Sequence, residues 1–139
     1  MRKVVHTKKA PQPRGVYSQA IVAGGFVFVA GQACVNPKTN EYEFGDIQSE
    51  TRQTLNNISA ILKAAGSSLK DVVRVGVFLA DLNEFAAMNE IYKQFFPKTS
   101  LPAPPWAANF RRSRLRSIAS RVSARSIRRS DGGAFRSSP

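Results

Sequence analysis

The chain has 139 residues, is 42% hydrophobic and carries a formal net charge of +12. That length suits one domain with a small core, which oligomerisation would help to stabilise. No apolar run approaches the roughly 20 residues of a membrane span, and no apolar segment follows the basic Arg2, Lys3, Lys8 and Lys9, so neither a membrane anchor nor a secretory leader is expected. The lone Cys34 excludes an internal disulfide, favours a reducing cytoplasmic setting and reads as a small apolar residue.

The first expected elements are two antiparallel strands between Val16 and Ala30, split by Gly24-Gly25, a pair that tolerates the positive φ angles of a hairpin turn. His6 lies in a short strand before them, with no acid or cysteine pattern around it, and reads as a surface or packing residue. After Gly31-Gln32 a loop runs to about Phe44, with turn chemistry at Asn36-Pro37-Lys38-Thr39-Asn40. From Asp46 the period becomes helical: Leu55, Ile58, Ile61, Leu62 and Ala65 form one apolar stripe, Asp46 is a potential N-cap, and Gly66 stands just beyond the end. Val72, Val73, Val75, Val77, Phe78 and Leu79 then predict a strand covered by that helix. A second helix is expected from Asn83 as its cap to Pro97, with Phe85, Met88, Ile91, Tyr92 and Phe95 as its buried stripe. The order β-β-α-β-α leaves the sheet in need of partner strands from the chain beyond the second helix.

Beyond residue 100 the composition changes character. Residues 1–100 hold 12 Lys/Arg against 8 Asp/Glu, whereas residues 101–139 hold nine Arg against Asp131 alone, so the tail carries +8 of the +12. The division is therefore a domain over 1–100 that lacks its last strands, and an atypical Arg/Ser-rich tail over 101–139 whose few apolar residues predict disorder.

Several stretches resemble one family. They are Arg14-Gly15-Val16-Tyr17-Ser18-Gln19-Ala20, Ala30-Gly31-Gln32, Asn36-Pro37-Lys38-Thr39, Ile61-Leu62-Lys63-Ala64-Ala65-Gly66, and Leu79-Ala80-Asp81-Leu82-Asn83-Glu84-Phe85 through Asn89-Glu90-Ile91-Tyr92. Over residues 2–98 their order, spacing and loop motifs resemble the RidA/YjgF family, also labelled endoribonuclease L-PSP. The resemblance implies an α+β, chorismate-mutase-like fold: a mixed sheet with two helices packed on one face. It further implies a cytoplasmic homotrimer with active sites between subunits. The implied activity is hydrolysis of reactive 2-enamino and 2-imino acids to 2-keto acids and ammonia, without a metal or cofactor. On this reading Tyr17 is the catalytic pocket tyrosine, and Tyr17, Ala30, Gly31 and Asn89 bind the substrate. Ala30 stands where many members have Ser, which removes one hydroxyl. Gly31 lets backbone amides approach the ligand closely. For Tyr17 the competing reading is a packed aromatic at a strand start, and for Asn89 a solvated or capping residue.

The chemistry also asks for an Arg fork to hold the substrate carboxylate and a carboxylate to orient or deprotonate water. Family members carry these in a Pro-Ala-Arg motif after the second helix and a Val/Ile-Glu-Ile motif on the last strand, and neither is present here. Reading the tail's coding DNA one base late recovers both. Trp106 ends in G and Ala107 begins GC, which fixes a glycine, and degenerate bases allow residues 101–123 to become PARTTVGGKLPAVAVEIDCIARV. The Arg then falls at the position of Ala103 and the Glu at that of Arg116, and VEIDCIA supplies a β-rich final strand. A one-base shift near codon 100 is thus the expectation, leaving the chain as written impaired. The alternative takes the nine arginines at face value, as phosphate contacts of an RNA-binding or endoribonuclease-type translation inhibitor. Against it, only Trp106 and Phe110 could stack on bases.

Overall fold

Strands β2 (Ala20–Ala23) and β3 (Phe26–Gln32) form the expected hairpin, and the turn between them puts Gly24 at φ 56° and Gly25 at φ 76°. Both angles lie in the left-handed region that glycine enters without steric cost. The computed structural model describes residues 1–97 and the backbone of residues 119–125. Strand β1 (Lys3–Val5) pairs antiparallel with the outer side of β2. The chain before β2 departs from expectation: Val16 and Tyr17 lie in an exposed loop rather than at a strand start. A turn in which the Tyr17 amide donates to the Gly15 carbonyl lifts this stretch off the sheet.

Helix α1 (Ile47–Ala64) begins and ends where the sequence indicates. The Asp46 carboxylate accepts from the Ser49 amide at 2.7 Å, satisfying one of the first-turn donors, and Gly66 adopts φ 78° just past the end. Its buried stripe of Leu55, Ile58, Ile61 and Leu62 packs with Val27 and Val29 of β3 in the main core. A second, polar row on the same helix is also buried. Asn57 donates to the carbonyls of Ala33 (3.1 Å) and Val35 (2.8 Å) and accepts from Gln53 (2.9 Å), so it fastens the loop after β3 to the helix.

Strand β4 (Val72–Phe78) comes next, with Val72 and Val75 facing the core, and then helix α2 (Phe85–Phe95) packs against α1. Two details of the second helix differ from expectation. A single 3-10 turn, Leu82–Glu84, precedes it and is capped by Asp81, whose carboxylate accepts from the Asn83 amide at 2.9 Å. Asn83 therefore lies inside the capped turn, with the Asp81 side chain already in place ahead of it. Phe85 is 54% exposed rather than core, because the stripe that faces inward is Met88 and Ile91, with Tyr92 and Phe95 partly buried beside them.

The fifth strand, β5 (Ala119–Arg125), lies between β3 and β4, giving the order β1-β2-β3-β5-β4. This segment belongs to the stretch that the division at residue 100 leaves outside the domain. Val122 stands opposite Val29 on one side and Val75 on the other, and Ala124 opposite Val27 and Val72, so its register positions continue the rows of the helix-covered face. All four pairings among the described strands are antiparallel, where a mixed sheet was expected. The reason is topological: β3-α1-β4 is a crossover that leaves β3 and β4 parallel to each other, and β5 inserted between them turns one parallel relation into two antiparallel pairs. The positions of Ala103 and Arg116, with Trp106, Phe110 and Asp131, lie outside the described residues.

Candidate active site

An open groove runs between the loop before β2, the end of β3 and the turn after it; Gln12, Arg14, Tyr17, Gly31, Asn40 and Tyr42 contribute to its lining. Two of the residues singled out from the sequence meet here. Tyr17 is 56% exposed, and its phenol oxygen accepts from the Arg14 amide at 3.2 Å. Within this chain it is not packed into the core. Gly31 closes the groove from the strand side, and a Cβ built at this position would meet nothing within 4 Å. A side chain would project into free space there, so glycine keeps the backbone accessible to a ligand.

The other two residues are placed elsewhere. Ala30 precedes Gly31 on β3, is partly buried, and donates its amide to the Gln19 carbonyl at 2.9 Å. Asn89 sits partly buried on α2, next to core residue Met88, and is not part of the groove lining.

Several groups that shape the groove carry no role in the sequence reading. Gln19, although within the quoted motif, is buried and fully engaged: its amide nitrogen donates to the carbonyls of Thr7 (3.0 Å), Ala10 (3.3 Å) and Pro11 (2.8 Å), and its oxygen accepts from the Thr7 amide (2.6 Å). Arg14 pairs with Glu41 at 3.1 Å and lies 5.8 Å from the centre of the Tyr42 ring, which itself stacks on Phe44. Both partners of the ion pair are exposed, so its contribution is at most about 1 kcal/mol. These are contacts between segments distant in sequence. Only Asn40, an amino acid that tolerates left-handed backbone, carried a readable signal.

His6, as expected, plays a local part, its Nε2 lying 2.6 Å from Gln12 Oε1. Among the described residues no group of three or more His, Cys, Asp or Glu could hold a metal ion, and no helix is long and apolar enough to cross a membrane. Cys34 is buried, and that desolvation, with the negative charge of Glu50 adding to it, pushes the thiol up from 9.0 to about 11. The thiolate is the reactive form. Alkylation of Cys34 at pH 8 should therefore run about 100-fold slower in the folded protein than in the urea-unfolded chain, as a two-unit difference in pKa requires. Equal rates followed by mass spectrometry would show that the thiol is not sheltered.

The sequence of the groove is matched by a family model. The model described as endoribonuclease L-PSP covers residues 7–110, which is most of the chain and includes every groove residue named above. The chain belongs to the endoribonuclease L-PSP (RidA/YjgF) family. A RutC family protein of Pyrococcus horikoshii is 56% identical over 96 residues, spanning 69% of this chain and 76% of that one. A 2-iminobutanoate/2-iminopropanoate deaminase of Dermatophagoides farinae is 40% identical over 95 residues, spanning 68% and 74%. Among solved structures, Escherichia coli TdcF with bound serine superimposes with a TM-score of 0.78 at 35% identity, covering 90% of this chain and 99% of that one. These likenesses bear out the α+β fold of the YjgF type and place the chain among L-PSP family relatives that include a named deaminase.

Proposed function

We propose that this L-PSP family chain is built for hydrolytic deamination of small 2-imino and 2-enamino acids, and that as written it is impaired. The observation that carries the reading is the meeting of Tyr17 and Gly31 in one open groove. The reaction adds water across the C=N bond at C2; collapse of the carbinolamine releases ammonia and leaves the 2-keto acid. Tyr17 offers a hydroxyl to orient the substrate or the attacking water, and Gly31 leaves room for the substrate to reach the backbone. No step of this chemistry calls for a metal or a redox cofactor. The two remaining parts, a guanidinium for the carboxylate and a carboxylate for the water, belong at the positions of Ala103 and Arg116, where this sequence has neither.

The site is proposed to be completed between subunits of a homotrimer, where Ala30 and Asn89 join it. The support is an apolar sheet face. Val4, Ile21 and Phe28 stand in one register row on the side away from the helices, with Val4 53% and Phe28 49% exposed and Phe26 tilted against Phe28 at 6.3 Å. A second copy would cover this surface. Sedimentation of the chain carrying the recovered C-terminus should show a trimer, and Phe28→Asp in it should give monomers at the same concentration; a monomeric restored chain, or a variant that stays trimeric, would reject this arrangement. A reducing cytoplasmic setting fits the free thiol of Cys34.

The direct test of the activity is release of 2-oxobutanoate from freshly generated 2-iminobutanoate, comparing this chain with one carrying the recovered C-terminus. Failure of the restored protein to exceed the uncatalysed rate would defeat the deaminase reading. The RNA-binding alternative gains nothing from the groove. Arg14 is the one cation among its described lining residues, and it is paired with Glu41.

A further inference from the structure

Asn40 is the one non-glycine residue with positive φ among the described residues, at 60°. Asparagine enters the left-handed region more readily than other side chains, yet the conformation is still uncommon enough to ask what it accomplishes. Here it turns the side-chain amide toward a segment 28 residues earlier. The Gln12 amide donates to Asn40 Oδ1 at 2.8 Å, and Asn40 Nδ2 donates to the Gln12 carbonyl at 3.3 Å. One side chain thus satisfies both backbone polar groups of Gln12, as a neighbouring strand would.

That contact sits at a strategic point of the chain. On its N-terminal side the segment is already rigid, because the Gln12 side chain folds back to the carbonyls of Thr7 (3.0 Å) and Ala10 (2.9 Å). On the C-terminal side, buried Gln19 is tied to the same Thr7–Pro11 stretch. The intervening residues carry Tyr17, and among the described residues they are also tied to the turn after β3 by the exposed Arg14–Glu41 pair and the packing of Arg14 on Tyr42. The turn that carries Asn40 is itself firm: the Asn36 amide donates to the Glu41 carbonyl at 2.8 Å, the Asn40 amide to the Asn36 carbonyl at 2.8 Å, and Val35 bridges Tyr42.

We infer that Asn40 is a positioning residue for Tyr17: by clamping Gln12 through both of its peptide groups, it fixes the near end of the loop that holds the Tyr17 hydroxyl in the groove. The role in turnover rests on the deaminase reading, whereas the clamp itself does not. Its side chain acts on the Tyr17 loop through the Gln12 backbone.

The test uses Asn40→Gly and Asn40→Asp, in the full chain for hydrogen exchange and in the chain carrying the recovered C-terminus for turnover. Glycine keeps the left-handed backbone without strain and removes both hydrogen bonds, so the fold should survive. Aspartate keeps the acceptor for the Gln12 amide and loses the donor to its carbonyl. Hydrogen exchange read by mass spectrometry should speed up about tenfold over residues 11–18 in Asn40→Gly and about threefold in Asn40→Asp, with α1 unchanged in both, as the loss of two bonds and of one implies. Turnover of 2-iminobutanoate should fall in the same order, with kcat dropping about tenfold in Asn40→Gly while KM stays within about twofold, since misplacing a catalytic group affects the reacting geometry more than ground-state binding. Unchanged exchange over 11–18, or equal acceleration in α1, overturns the clamp. Faster exchange with unaltered kcat overturns its role in positioning. If the chain with the recovered C-terminus fails to turn over even with Asn40 in place while the graded exchange pattern appears, the clamp stands and the deaminase reading is what has failed.

Discussion

Replacing residues 101–123 by PARTTVGGKLPAVAVEIDCIARV is expected to raise hydrolysis of 2-iminobutanoate by about 10²–10⁴-fold over the chain as written, the range that a positioned general base supplies. A small imino acid presents a carboxylate and an electrophilic carbon, whereas the described groove holds one guanidinium, that of Arg14 already paired with Glu41, and the Tyr17 phenol. Restoring an Arg at the position of Ala103 adds charge-assisted bonds, each worth about 1.5–3 kcal/mol. Restoring a Glu at the position of Arg116 adds the base and removes a positive charge. Two further variants separate these effects. Reverting only the restored Arg to Ala should chiefly raise KM, and reverting only the restored Glu to Arg should chiefly lower kcat. Codons in the source DNA that are incompatible with the recovered string would defeat the reading-frame proposal independently of any kinetics.

The second large effect concerns stability. Ile58 is wholly buried in the α1 stripe, in the cluster that includes Val27, Val29 and Val75. Truncation to alanine removes three carbons from a packed interior and leaves a cavity that the surrounding sheet can fill only in part. Ile58→Ala should therefore cost about 2–5 kcal/mol, and the milder Ile58→Val about 0.5–1.5 kcal/mol. Against a total of about 5–15 kcal/mol for a folded domain, the first loss is severe. Urea midpoints measured at one fixed protein concentration are the check, because an oligomer's apparent stability depends on concentration. A loss below about 1 kcal/mol for Ile58→Ala would mean that α1 is not packed on the sheet as described.

Local signals in the chain proved dependable where one residue's own chemistry decides the outcome. Asp46 caps α1, Gly66 stands just past its end, and Gly24-Gly25 makes the hairpin, because capping and positive φ depend on a few neighbouring atoms. Less legible was the start of α2, where Asp81 and Asn83 are both good caps and only the order in which the chain turns selects Asp81. Phe85 misled in a simpler way. It lies on the apolar side of the second helix but in the first turn, beyond the cover provided by α1 and the sheet. In the groove, Tyr17 and Gly31 were readable as motif positions, whereas the Gln12–Asn40 clamp joins residues 28 apart and leaves no periodic trace.

The division near residue 100 is where the two levels part most clearly. Composition by itself determined that the basic excess is concentrated in residues 101–139 and that the motif arginine and glutamate are missing there, since both depend on residue identity alone. Which part of the chain lies between β3 and β4 was decided only by tertiary structure. A strand's partners are set by the edges left open elsewhere in the sheet, and the β3-α1-β4 crossover leaves a place that the backbone of Ala119–Arg125 occupies. The same distinction holds for the site. Amino-acid type nominated Tyr17 and Gly31 one by one, but their meeting depends on a loop held by Asn40 and Gln19, through hydrogen bonds that exist only once distant segments have been brought together.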